Sequence, residues 1–140
     1  MTPRLLERCP MFAKLGPEDR ERVAAIGSLR SLTRGEMLFA EGDRADHFFV
    51  VLDGDVKLFK SSVQGKEQIL HIIRPVHSFA EAAVFLGGGY PASAMALRPS
   101  KVFQIPRDGF FEYRPGRSRI FDPRHGLIRH LAAPVGRSRR

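Results

Sequence analysis

Residues 47–74 read HFFVVLDGDVKLFKSSVQGKEQILHIIR. The first six, His47 to Leu52, are rich in β-formers and have no alternation, as expected of a strand buried on both faces. Asp53-Gly54-Asp55 is a strong hairpin signal. Beyond it Val56 and Leu58 alternate with Lys57 and Lys60, the pattern of a strand with one wet face. Gln64-Gly65 is a second turn. Glu67 to Arg74 is a third strand, stopped by Pro75.

Outward from this stretch the same grammar continues. Upstream, Met37 to Ala40 is a short strand between the turns Thr33-Arg34-Gly35-Glu36 and Glu41-Gly42-Asp43. Downstream, Ser93 to Leu97 and Val102 to Pro106 are two more strands. Short strands with frequent turns imply a sandwich or barrel, and no strand–long-helix alternation supports a doubly wound sheet. Helices flank this region. Residues 3–9 suit a short helix with Leu5 and Leu6 inward. Pro17 sits at a first helical position, followed by Glu18 and Asp19, with Val23, Ala24 and Ile26 on one face and Gly27 at the end. Phe110 to Tyr113 looks like the start of another helix.

One insert breaks the β pattern, Ser78 to Ala94, SFAEAAVFLGGGYPASA. A helix of one or two turns beginning near Phe79 or Ala80 would present free N–H groups that favour an anion. Glu81 in its first turn is a carboxylate placed to accept hydrogen bonds from ligand hydroxyls. Small residues, Ala80, Ala82, Ala83, Ala92 and Ser93, let a ligand approach the backbone. The plain structural alternative is a crossover helix capped by Gly87 and a flexible loop.

A length of 140 residues allows one domain, with 43% hydrophobic and 27% charged residues. A single cysteine, Cys9, excludes an internal disulfide and suits a cytoplasmic location. No apolar run reaches membrane-spanning length, so no membrane partner is expected. The formal charge is +8, yet residues 114–140 hold eight arginines, no lysine and one acid, leaving +1 for residues 1–113. Attraction to nucleic-acid phosphates is therefore confined to that tail.

Arg34-Gly35-Glu36, Glu41-Gly42-Asp43, Val51-Leu52-Asp53-Gly54-Asp55-Val56 and Gly65-Lys66-Glu67 together resemble the sensor domain of Crp/Fnr-type bacterial transcription regulators. Phe79-Ala80-Glu81-Ala82 falls where that family carries its ligand cassette. The resemblance implies a mainly β fold with flanking helices, a cyclic-nucleotide-binding-like β-roll (jelly roll). Residues 1–113 would be the sensor domain, with helices over about 3–27 and the roll over about 28–106. It further implies a non-catalytic domain with a small-molecule effector, bound by Phe79, Ala80, Glu81, Ala82, Ala92 and Ser93, and a homodimer. DNA would be reached only through a helix-turn-helix.

The family's cyclic-nucleotide binders carry Phe-Gly-Glu and then an Arg-Ser or Arg-Thr pair about ten residues on. Here the glycine position is Ala80 and the arginine position Ala92; Glu81 and Ser93 match. Cyclic-nucleotide binding is expected to be weakened or lost. FAEAAVF with Tyr-Pro-Ala-Ser-Ala is similar to the subgroup that responds to nitrate respiration and nitric oxide, which brings in haem as a cofactor. Axial-ligand candidates are Cys9, Met11, His47, His71 and His77, none at a distinctive spacing.

Residues 114–140 turn abruptly to Arg, Pro, Gly and Ser, and Pro115-Gly116 interrupts the dimerisation helix that the family places there. No helix-turn-helix pattern is visible in this tail, which reads as basic and unstructured or as a truncated or out-of-frame remnant. Two other functions fit a jelly roll: a cupin-like metal enzyme and a ligand-free dimerisation module. The first lacks a His-x-His pair, and Pro75 separates His71 from His77.

Overall fold

The computed structural model describes residues 3–112, 121–122 and 126–127. The expected tail from residue 114 onward lies outside the described residues, apart from Phe121–Asp122 (β9) and Gly126–Leu127 (β10), which pair antiparallel.

Two short helices open the chain, α1 (Pro3–Leu6) and α2 (Pro17–Ile26). Pro17 occupies the start of α2, where its missing N–H costs nothing. Gly27 ends α2 against the Phe103 ring; a Cβ there would come within 2.5 Å of that ring. Leu6, Cys9, Phe12 and Val23 are fully buried beneath these helices.

Eight strands then build two four-stranded antiparallel sheets. Strands β1 (Ser28–Leu32), β3 (His47–Asp53), β6 (His77–Phe79) and β8 (Ser100–Pro106) form one, in the order β1-β8-β3-β6. Strands β2 (Met37–Phe39), β4 (Val56–Ser61), β5 (Glu67–Ile73) and β7 (Ser93–Ala96) form the other, in the order β2-β7-β4-β5. This is the expected mainly β roll.

Strand β3 shows why its sequence does not alternate. Phe48, Phe49, Val50 and Val51 are all buried. Successive side chains leave opposite faces of a strand, so the neighbours Phe48 and Phe49 serve two cores. Phe48 meets Phe12 of the N-terminal segment, Phe85 of α3 (Glu81–Leu86) and Phe110 of α4 (Arg107–Glu112), with centroids 6.4, 5.4 and 5.2 Å away. Phe49 stacks on Phe39 and Phe79 at 5.6 and 5.3 Å inside the roll.

The structure corrects the reading of Asp53-Gly54-Asp55 as a hairpin. The strands on either side, β3 and β4, belong to different sheets, so this turn is a corner where the chain changes layer. Gly54 has φ +95°, as a hairpin glycine would, and a Cβ there would lie 2.0 Å from Ser100 Oγ. Ser100 fills the corner, donating to the Arg98 carbonyl at 2.7 Å and accepting from Asp55 N–H at 3.2 Å. A positive-φ turn dictates local chain reversal but not which strand becomes the neighbour. The β4–β5 connection at Gly65 is a genuine hairpin, closed by Ser62 N–H to the Lys66 carbonyl at 2.8 Å.

Strand β4 also departs from simple alternation. Its register with β5 shifts between Leu58 and Phe59, and Lys57 is mostly covered, its side chain 12% exposed. Its ammonium sits 2.5 Å from Glu67 Oε1 and 4.8 Å from the centre of the Phe59 ring. The ammonium thus lies over the Phe59 ring while paired with Glu67. Helix α4 starts at Arg107, three residues before the expected Phe110, with Arg107 N–H bonded to the Asp46 carbonyl; Tyr113 lies outside the described residues.

Candidate functional site

The insert between β6 and β7 builds the site. The chain leaves β6 at Phe79, turns through Ala80 and enters α3 at Glu81, one or two residues later than expected. Ala80 has φ +71° and ψ +10°, the left-handed region, which in an L-residue costs about 1–2 kcal/mol. The backbone thus keeps a glycine conformation at a position occupied by alanine. Val84 and Phe85 anchor α3 against the core, and Gly87 N–H closes it onto the Ala83 carbonyl.

The segment after Gly87 is held down, in contrast to the expected flexible loop. Ala45 N–H bonds to the Gly88 carbonyl, Tyr90 N–H to the Asp43 carbonyl, and Gly42 N–H to the Tyr90 carbonyl, at 2.8–3.0 Å. A Cβ on Gly89 would meet the Gly42 carbonyl oxygen at 2.9 Å, so these two turns touch backbone to backbone. Glycine there signals close approach rather than mobility.

A cavity of about 200 Å³ lies between α3 and the second sheet. Phe39, Leu58, Tyr90, Pro91, Ala92 and residues 80–83 line it. Tyr90 lies flat on Phe39, with ring centroids 3.7 Å apart and planes 12° from parallel. Its hydroxyl donates to the His47 carbonyl at 2.6 Å and accepts from His47 N–H at 3.2 Å. Burial pushes the Tyr90 phenol above its ordinary pKa.

Glu81 is the one charged residue in the described wall. Ser78 Oγ donates to its Oε2, which orients the carboxylate. Cys9 is fully buried, and loss of hydration pushes its thiol pKa up.

Of the six residues singled out from the sequence, Ala80, Glu81, Ala82 and Ala92 line the cavity. Phe79 stands behind the wall, stacked on Phe49. Ser93 turns its Oγ to accept from Glu41 N–H at 2.8 Å. Phe39, Leu58 and Tyr90 were not singled out, because Phe39 and Leu58 lie on separate strands well before the insert, among many similar alternating positions. Only Tyr90-Pro91, an aromatic inside a glycine-rich loop, carried a local signal.

The cavity does not fit haem. None of Cys9, Met11, His47, His71 or His77 lines it. Cys9 is sealed in the core, His71 and His77 are exposed on β5 and β6, and His77 Nδ1 lies 3.1 Å from the Arg74 carbonyl. Tyr90, the one wall residue of an axial-ligand type, commits its hydroxyl to the His47 backbone. Among the described residues no group of three His, Cys, Asp or Glu could hold a metal ion. None of the described helices is long and apolar enough to cross a membrane.

Two antiparallel sheets rolled around a pocket, with a short helix inserted beside it, define a β-roll domain. Residues 29–114 match the family model described as the cyclic nucleotide-binding domain, and the chain belongs to that family. Its homologues include Crp/Fnr-type regulators. It is 27% identical over 101 residues to the cyclic AMP receptor protein of Thermus thermophilus, covering 72% of this chain and 47% of that protein. The crystal structure of the sensor domain of the transcriptional regulator DNR from Pseudomonas aeruginosa matches with a TM-score of 0.73 and 29% identity, covering 78% of this chain and 73% of that one. The N-terminal domain of a transcriptional regulator from Streptomyces coelicolor A3(2) matches with a TM-score of 0.69 and 34% identity, covering 75% of each chain. The chain spans about half the length of the curated relatives it matches. Those relatives are regulatory rather than catalytic.

Proposed function

We propose that this chain is the effector-sensing roll of a Crp/Fnr-type regulator whose pocket no longer takes cyclic nucleotides tightly and binds a different small effector. The observation that carries this reading is Ala92 in the cavity lining, where the one charge among the described residues is the anion Glu81. A cyclic phosphate placed there would meet no cation and would face a carboxylate. The missing charge-assisted contact is worth roughly 1.5–3 kcal/mol, or about 10–150-fold in affinity.

In the full regulator the effector signal would pass through a homodimer to a helix-turn-helix on DNA. Phe48 supports this direction of transfer, since it joins α3 to Phe110 of α4, the last described helix before residue 114. Thermal denaturation with added cyclic AMP or cyclic GMP tests the reading. A ligand at a hundred times its Kd stabilises a fold by about 2.7 kcal/mol, a shift of several degrees. No shift is expected with either nucleotide at millimolar concentration; a shift of several degrees would refute the loss of nucleotide binding.

A further inference from the structure

We propose that the effector is a small aromatic or short-chain apolar molecule carrying one hydrogen-bond donor, preferentially an amine, whose donor pairs with Glu81. This rests on the reading of the cavity as the effector site.

Size sets the first limit. The cavity holds about 200 Å³, below the roughly 300–1,000 Å³ of ordinary ligand pockets and slightly above the ~150 Å³ that accepts a benzene ring. One ring with a short side chain fills it. The wall sets the second limit. Phe39, Tyr90 and Leu58 present apolar surface, and the side chains of Ala82, Ala83 and Ala92 offer no hydrogen bond of their own.

Charge sets the third. Glu81 enters no ion pair among the described residues, and Ser78 takes one of its oxygens. The other oxygen has no donor among the described contacts. A carboxylate set in an apolar wall without a cation gains most from a ligand that supplies one. Ser78 fixes its direction, so less freedom is lost on binding. An anionic ligand of the same shape meets the Glu81 carboxylate, and no cationic side chain lines the described wall to offset that repulsion.

Three probes of similar size, phenethylamine, 2-phenylethanol and phenylacetate, are titrated calorimetrically against the full chain, with cyclic AMP alongside. Phenethylamine and 2-phenylethanol should saturate, the amine most tightly, and phenylacetate should bind at least about tenfold more weakly than either. Glu81→Gln, isosteric and at a partly buried position, should bring the amine down to about the level of the alcohol while weakening the alcohol much less. Phenylacetate binding as tightly as the amine, or an amine unaffected by Glu81→Gln, would overturn the proposal. So would three silent probes. Three silent probes with silent cyclic AMP remove only the ligand class, whereas saturation by cyclic AMP removes the effector reading beneath it.

Discussion

The Tyr90 ring rests on Phe39 with centroids 3.7 Å apart, while its hydroxyl bridges the backbone of His47. One side chain from the insert thereby ties the wall of the cavity to the start of β3. Tyr90→Phe keeps the stack and removes the hydroxyl, and should cost about 1 kcal/mol in urea unfolding. Tyr90→Ala removes both and should cost about 3–5 kcal/mol. Equal effects of the two variants would show that the stack contributes little.

Ala80 is held at φ +71°. Glycine adopts this region freely, and the gain is partly offset by its greater freedom in the unfolded chain. Ala80→Gly should therefore raise stability by about 0.5–1 kcal/mol. Ala80→Val should lower it, since a β-branched side chain tolerates the left-handed region less well. A destabilised Ala80→Gly variant would argue against this backbone geometry.

The corner and the hairpin separate under the same substitution. At Gly54 an added methyl meets Ser100 at 2.0 Å, whereas at Gly65 it meets nothing within 4 Å. Gly54→Ala should cost about 2–4 kcal/mol, from strain and overpacking together. Gly65→Ala should cost about 1 kcal/mol, from strain alone. Chemical denaturation of the two variants measures the difference.

Stability should fall on both sides of neutral pH. Burial raises the Cys9 and Tyr90 pKa values above 9.0 and 10.0. The unfolded chain then loses these protons first, so the stabilisation is complete below about pH 9 and declines as pH rises through the folded values. Burial lowers the His47 pKa below 6.5. The unfolded chain takes up that proton first, so stability declines as pH falls from 6.5 through the folded value. Melting temperature against pH should show both limbs. A midpoint still rising between pH 9 and 11 would contradict the buried positions of Cys9 and Tyr90.

How much of this was legible depends on whether the signal is local. The strands at His47, Val56 and Glu67, the start of α2 at Pro17 and the cap at Gly87 rest on neighbouring residues, and each appears where its local chemistry points. The corner at Gly54 was misread because positive φ serves a hairpin and a layer change alike. Glu81 and the small residues around it were visible as a cluster within one insert. Phe39 and Leu58 were not, because only the pairing of β2, β7 and β4 brings them to that insert. The tether of Gly89 to Gly42 was hidden for the same reason, a close backbone approach between turns remote in the chain.

The central claim concerns a pocket that has kept its shape and lost its cation. Calorimetric titration of cyclic AMP into the unmodified chain and into an Ala80→Gly/Ala92→Arg double variant tests it most directly. The account predicts no saturable heat for the unmodified chain in the micromolar range and measurable saturation once the arginine is restored. Clean micromolar saturation of the unmodified chain would contradict it.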